Sequence, residues 1–312
     1  MRAVWLREFG GPEVLVGGDA PDPEPGPDQV VIDVAYANVT FVETQFRATG
    51  TGPFTPELPM IPGNGVGGVV AGTGARVVSS TGGSGGYAER VAVDAAGVIA
   101  VPDGVELDGA VALMADGRTA TMLTRLAGVR AGDRVLVEAA AGGVGTLLVQ
   151  LALAAGATVI AAAGGPRKVE LARELGAHVA VDYRATEWTA RVRDAVLGAD
   201  VVFDGVGGDV ARTAFGLLGP GGRMVSFGFA SGRWADIEAH EAEAAGVTLV
   251  RPTRPSPEQL RADTEHALAQ AAAGRLTPVI GQRVPLERAA DAHAAIEARD
   301  TVGKTLLEVR PV

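Results

Sequence analysis

The sequence predicts an α/β protein, with a doubly wound parallel sheet in the middle of the chain and a β-rich, irregular portion ahead of it. Three observations carry this. Residues 135–165 read as a buried strand, a glycine-rich turn, an amphipathic helix and a second strand. From about Ala110 to Pro252, strand and helix patterns alternate, as they do where helices cross over a parallel sheet. Before that, from Met1 to about Pro102, short apolar or alternating runs are separated by clusters of glycine and proline.

The early strands are expected at residues 3–6, 30–35, 67–71 and 87–93, with PDPEPGPD (21–28) and TGGSGG (81–86) as loops between them. After the 135–165 unit, PRKVELARELGA places Pro166 at a helix start and Gly176 at its end. Strands follow at 179–182, 201–204, 222–227 and 247–250. The tail reads as helices at 257–273 and 286–298 and a strand at 305–309. It is too short for a domain of its own and is expected to complete the first one. The expected division is residues 1–112 with 253–312 in the β-rich domain, and residues 113–252 in the parallel-sheet domain. No internal repeat or low-complexity linker interrupts the pattern.

Composition narrows the function. With 47% hydrophobic and 21% charged residues the chain is globular rather than disordered. Its 44 glycines fall at turns without a triplet period, which excludes collagen. A net charge of −10 and only 4% aromatic residues argue against nucleic acid or an anionic membrane as partner. There is no cysteine, so disulfides, thiolate catalysis and cysteine-held metals are excluded. The opening MRAVWLREFGGPEV has no apolar run of signal-peptide length, and nothing approaches the ~20 apolar residues of a membrane span. A cytoplasmic protein is expected.

The turn Ala140-Ala141-Gly142-Gly143-Val144-Gly145 matches the dinucleotide fingerprint G-x-G-x-x-G, except that Ala140 replaces the first glycine. Gly142 allows backbone close to a pyrophosphate, Gly145 allows the helix onto its strand, and free N–H groups at the helix start bind the anion. The following strand indicates which nucleotide. An NAD site needs an acid roughly 20 residues past the turn to hold the ribose 2′-OH. That position is Gly164, residues 159–165 contain no acid, and Arg167 and Lys168 follow at once. A glycine beside two cations would receive a 2′-phosphate, which points to NADPH. The alternative makes both cations a solvated first turn of the next helix, a place where cations are disfavoured.

Further segments extend the pattern: MRAVWLREFGGPEVL at the start, GGYAERV (85–91), GRTATML (117–123), AAAGGVG (139–145), VDYR (181–184), VFDGVGG (202–208), GGRMVSFG (221–228) and GKTLL (303–307). Together they resemble the medium-chain dehydrogenase/reductase superfamily, and more narrowly its zinc-independent quinone oxidoreductases, the group that includes zeta-crystallin. The resemblance runs nearly end to end. It implies a Rossmann domain for NADPH and a β-rich, GroES-like catalytic domain. It also implies that Thr119 lies near the nicotinamide end and that Phe227 lines its pocket. Gly142, Gly143 and Val144 would hold the pyrophosphate; Lys168 and Tyr183 would meet the 2′-phosphate and adenosine, with Arg299 as a third phosphate partner. Taken alone, Tyr183 would read as a strand-end aromatic and Phe227 as a core residue.

Two departures from the family pattern bear on chemistry. Zinc relatives have cysteine, histidine and a GHE-type motif, and many quinone reductases have GTE; here the segment is Gly63-Asn64-Gly65, without the acid. The four histidines, His178, His240, His266 and His293, lack ligand spacing and read as surface or helix residues, so no metal is expected. Where relatives read Asn-Phe-x-Asp-x-Tyr, this chain has Thr40-Phe41-Val42-Glu43-Thr44-Gln45. Thr40 and Gln45 can still offer hydrogen bonds to an acceptor. The connection from Gly72 to Arg76 is shorter than usual, which would leave the pocket mouth more open. The resemblance implies a reductase of quinones or α,β-unsaturated carbonyls that pairs as a homodimer through the strand at 247–250. An enoyl-thioester reductase of polyketide or fatty-acid chemistry and a non-catalytic NADPH-binding protein are the alternatives.

Overall fold

The protein is described by a computed structural model covering residues 1–52 and 57–310. Strands β1 (Arg2–Leu6) and β2 (Leu15–Asp19) form an antiparallel pair at the start. β3 (Gln29–Val39), β4 (Gly65–Val70), β5 (Arg76–Ser80), β6 (Arg90–Asp94) and β7 (Ile99–Ala100) follow, with helix α1 (Phe41–Thr49) after β3. Helix α2 (Leu107–Ala112) runs into a π-helical turn, Leu113–Gly117.

The next stretch alternates as expected: α3 (Arg118–Ala127), β8 (Arg134–Glu138), α4 (Gly143–Ala154), β9 (Thr158–Ala163), α5 (Pro166–Glu174), β10 (Val179–Asp182), α6 (Trp188–Val196), β11 (Ala199–Asp204), α7 (Gly208–Phe215), β12 (Leu218–Ser226), α8 (Ala239–Ala245) and β13 (Thr248–Val250). The tail adds α9 (Pro257–Ala272), β14 (Ile280–Pro285), α10 (Ala289–Glu297) and β15 (Lys304–Glu308).

The chain separates into two compact units, Met1–Gly117 with Thr264–Val312, and Arg118–Asp263. In the first, the sheet order is β14-β15-β3-β4-β5-β7, with β6 also on β3. The tail therefore re-enters the first sheet: β15 pairs antiparallel with β3, placing Leu307 against Ala37. Leu307, Val34, Phe46 and Ala292 belong to one buried cluster with Tyr87. The Tyr87 hydroxyl meets His293 Nε2 at 3.0 Å. Burial, helped by the Arg47 charge, lowers the His293 pKa to about 3, so this histidine is a neutral core group.

In the second unit all neighbours pair in parallel, in the order β10-β9-β8-β11-β12-β13. Counted from β8 this is 3-2-1-4-5-6, the order of a dinucleotide-binding sheet. The strands are apolar because helices cover both faces: Val135, Leu136 and Val137 of β8 are all fully buried. Strand order reverses between β9 and β11, at the carboxyl end of β8. In open sheets of this kind the ligand crevice lies at that reversal.

Candidate functional site

The fingerprint turn leaves β8 through Ala139, which takes the left-handed conformation at φ 48°. Ala140 is buried, keeps a negative φ, and donates its N–H to Ala162 O at 3.1 Å. This explains why alanine serves where the fingerprint has its first glycine: the unusual φ has moved to the residue before. Gly142 caps helix α4 and donates to Ala139 O at 2.8 Å. A Cβ on Gly145 would lie 2.2 Å from Ala139 O, so only glycine lets α4 sit this close to the turn. The first-turn amides of α4, at Gly143 and Val144, have no acceptor within the helix, the arrangement by which a helix start can take an anion.

At the end of β9, Gly164 and Gly165 lead into α5, with Gly165 at φ 100° and Pro166 in the first turn. A Cβ on Gly164 would lie 3.0 Å from the Tyr183 hydroxyl, so Gly164 both omits the ribose acid and makes room for that ring. Lys168 stands in the first turn of α5, its N–H on Gly165 O at 3.1 Å. The structure thus gathers Gly164, Lys168 and Tyr183 at one corner. It adds a cation that sequence reasoning missed. The Arg184 guanidinium lies over Gly165, held by Asp182 at 3.2 Å. Its signal was the last letter of VDYR.

A third cluster surrounds an open cavity of about 380 Å³ lined by Thr119, Met122, Ser226, Phe227, Trp234, Arg251 and Pro252. Thr119 and Phe227, expected near the nicotinamide, therefore share a pocket. The Phe227 ring packs so closely on Gly205 that a Cβ there would lie 2.9 Å from it. Trp234 leans on Phe229 with ring centroids 4.9 Å apart. Met122, Trp234 and Arg251 come from three separate segments, and no local pattern announces them.

Thr40 and Gln45 belong to the first unit, on α1. Thr40 is the N-cap: its hydroxyl and its N–H each donate to Glu43 Oε2 at 2.7 Å, and its oxygen accepts from the Glu43 N–H at 3.3 Å. The other carboxylate oxygen of Glu43 accepts from the Asn64 N–H at 2.7 Å. Glu43 is only 4% exposed, and that burial raises its pKa against the opposing pull of these bonds and of the Lys304 charge. The acid absent from Gly63-Asn64-Gly65 has no room here. A Cβ on Gly65 would strike Met114 and the buried Asn38 amide, which has no partner among the described residues. Gln45 is half-buried on the same helix. Arg299 also lies in the first unit, just past α10, at φ 59°.

A family model described as zinc-binding dehydrogenase matches residues 143–269. Among the described residues no group of three or more His, Cys, Asp or Glu is placed together. A quinone oxidoreductase of Pseudomonas aeruginosa is 34% identical over 98% of this chain and 99% of its own. A 2-haloacrylate reductase of a Burkholderia species is 30% identical over 98% of each. A mycobacterial protein solved in complex with NADPH superposes with a TM-score of 0.89 at 34% identity, covering 99% of this chain and all of that one. With identity of 34% over nearly the whole of both chains, the chain belongs to the zeta-crystallin-like quinone oxidoreductase family of the medium-chain dehydrogenases/reductases.

Proposed function

We propose that the protein is an NADPH-dependent, zinc-independent reductase of quinones or α,β-unsaturated carbonyls. The observation that carries the cofactor is the corner of Gly164, Lys168, Tyr183 and Arg184, cationic and without the acid that NAD requires. The turn fits the group, because Gly142 puts no side chain at the start of α4, where the only atom near a Cβ position is Ala139 O at 3.3 Å. Gly142, Gly143 and Val144 hold the pyrophosphate; Lys168, Tyr183 and Arg299 serve the 2′-phosphate end; Thr119 and Phe227 flank the nicotinamide. When bound, NADPH supplies the hydride. Thr40 and Gln45 orient the acceptor's carbonyl. The mycobacterial neighbour with NADPH and the haloacrylate-reducing relative support both halves of this reading. Turnover of NADPH with any quinone or enone separates the enzyme from a non-catalytic binder.

Cofactor choice gives the direct test. One charge-assisted phosphate contact is worth ~1.5–3 kcal/mol, or tenfold and more in affinity. NADPH is expected to bind far more tightly than NADH, and Lys168→Ala to weaken NADPH while leaving NADH nearly unchanged. Fluorescence titrations that give equal curves for both cofactors in the native protein would refute the assignment.

The same proposal makes the protein a cytoplasmic homodimer. No helix among the described residues is long and apolar enough to cross a membrane. β13 is the last strand of its sheet, with Leu249 and Val250 half-buried along it. An apolar edge is a hazard unless covered, and a two-fold pairing covers it symmetrically. Light scattering is expected to report twice the mass of one chain at micromolar concentration, and a monomer there counts against it.

A further inference from the structure

Two carboxyls lie at the point where the strand order of the Rossmann sheet reverses. Glu138 is the last residue of β8 and Asp204 the last of the adjacent β11, and both are 0% exposed. They face one another closely enough for a side-chain hydrogen bond. One oxygen of each is satisfied by a loop amide: Val206 N–H donates to Glu138 Oε2 at 3.1 Å, and Gly207 N–H donates to Asp204 Oδ1 at 2.7 Å. The other two oxygens, Glu138 Oε1 and Asp204 Oδ2, have no donor among the described residues. Buried polar atoms without partners are rare and need a cause. Two carboxylates cannot hydrogen-bond one another, but a carboxylic acid and a carboxylate can.

We propose that Glu138 and Asp204 share one proton and act together as a positioning pair for the nicotinamide pocket. The pair reaches the pocket through the backbone it holds. Val206 and Gly207 belong to the loop after β11, which does not line the cavity itself but hydrogen-bonds the segment after β12 that does. Val206 O accepts from Ser231 N–H at 2.7 Å, and Gly205 O accepts from Ala230 N–H at 3.3 Å, fixing the segment that leads to Trp234. Asp204 O accepts from Phe227 N–H at 2.9 Å, and the Ser226 hydroxyl, which lines the cavity, bonds the Asp204 carboxyl. Glu138 at the same time precedes the left-handed Ala139 that opens the fingerprint turn. One shared proton thus ties the pyrophosphate turn to the nicotinamide wall.

The surroundings leave the proton nowhere else to go. β9 brings Ala162 level with Glu138, and β12 brings Ser226 level with Asp204. The loop contributes only the amides of Val206 and Gly207. Among the described residues the charge that acts on Glu138 is that of Asp204, with no cation beside it. Burial, then the Asp204 charge, pushes Glu138 well above the usual carboxylate range. Titration belongs to the pair rather than to either residue. Removing the shared proton sets two like charges in the sheet interior and drives the two loops apart.

The test is NADPH affinity against pH in the native protein, Glu138→Gln and Asp204→Asn, with the carboxylic-acid carbonyl band followed by infrared difference spectroscopy. Glutamine keeps the shape and supplies a permanent N–H where the shared proton was. Above the pKa of the pair, native affinity is expected to fall by up to tenfold per pH unit, since binding must then take up a proton. The profile should flatten over that interval in either variant, and the infrared band should be weaker than in the native protein at pH 7. The NADH titration run in parallel should show the same alkaline loss, because the device does not involve the 2′-phosphate. Should one variant fail to fold, the other carries the comparison. A native profile with no alkaline limb overturns the proposal, as does a band equally strong in the native protein and in a folded variant. Failure of the cofactor assignment would look different: NADPH and NADH would titrate alike at every pH.

Discussion

Gly145→Ala is expected to cost several kcal/mol of stability and to abolish measurable NADPH binding. The added Cβ would lie 2.2 Å from Ala139 O, 2.9 Å from the Ala139 carbonyl carbon and 2.9 Å from the Ala140 Cα. All three are backbone atoms of the turn that would hold the pyrophosphate, so no side chain can swing aside. Overpacking a well-filled site costs about 1–3 kcal/mol when neighbours can yield, and more when they cannot. Relief must come from lifting α4 off β8 or from straightening the turn at Ala139, and either displaces the first-turn amides. A 1 Å misplacement of such groups can cost on the order of 10²-fold in function. Gly219→Ala is the control, since nothing lies within 4 Å of the new methyl. Thermal unfolding and a fluorescence titration of NADPH check both parts. A Gly145→Ala protein with native stability and affinity would show that the turn has slack the structure does not contain.

The half of the fold built from buried parallel strands was legible in the sequence because its physics is local. Residues 135–137 and 201–203 must be apolar on both faces, and they read that way without knowledge of their neighbours. The β-rich half was harder. β5 and β7 were not anticipated; they lie among turns and owe their existence to partners far along the chain, as Val77 pairs with Ala100. β2, with LVGGD, carries little strand signal and is held by its register with β1. Helix α1 is a different kind of miss. Thr40-x-x-Glu43 followed by Gly50 is a capping box with a left-handed stop, both readable from sequence. The segment's family resemblance points to substrate chemistry at Thr40 and Gln45, whereas its capping box buries Glu43.

The candidate site divides in the same way. Gly142, Gly143, Val144, Gly164 and Lys168 are local to one strand-turn-helix-strand unit, so their spacing alone places them. Trp234 and Arg251 reach the cavity beside Thr119 and Phe227 only because β12 and β13 lie side by side in the sheet. The Glu138–Asp204 pair depends on the reversal of strand order, which no periodicity reveals. Its acids stand at the ends of two strands 66 residues apart in sequence, each immediately before a glycine-bearing loop.

Proton supply is where Glu43 changes the expectation drawn from Thr40 and Gln45 alone. Neither of those side chains titrates near neutral pH, which by itself predicts a flat pH profile with water as the proton source. In the structure, however, the Thr40 hydroxyl proton is committed to Glu43 Oε2, and its oxygen already accepts from the Glu43 N–H. With Glu43 ionised, Thr40 has no proton to offer an acceptor. With Glu43 protonated, the carboxyl can donate to Thr40 Oγ1 and free the hydroxyl for the developing oxyanion. Burial raises the Glu43 pKa above its ordinary 4.5, which widens the range in which that form exists. Single-turnover reduction of a quinone is therefore expected to slow as pH rises through this raised pKa. The loss of one oxyanion donor sets the scale, on the order of 10²-fold at most. Thr40→Val should be slow at every pH and show no such limb. Glu43→Ala should also be less stable by roughly 1–3 kcal/mol, because the part-buried amides of Thr40 and Asn64 lose their shared acceptor. The sign of the stability profile follows from the same shift. Between 4.5 and the raised value the folded state holds more protons than the unfolded one, so this group's contribution to stability falls as pH rises. A flat rate profile in the native protein, unchanged in Thr40→Val, would return proton delivery to water and remove Thr40 from the acceptor site.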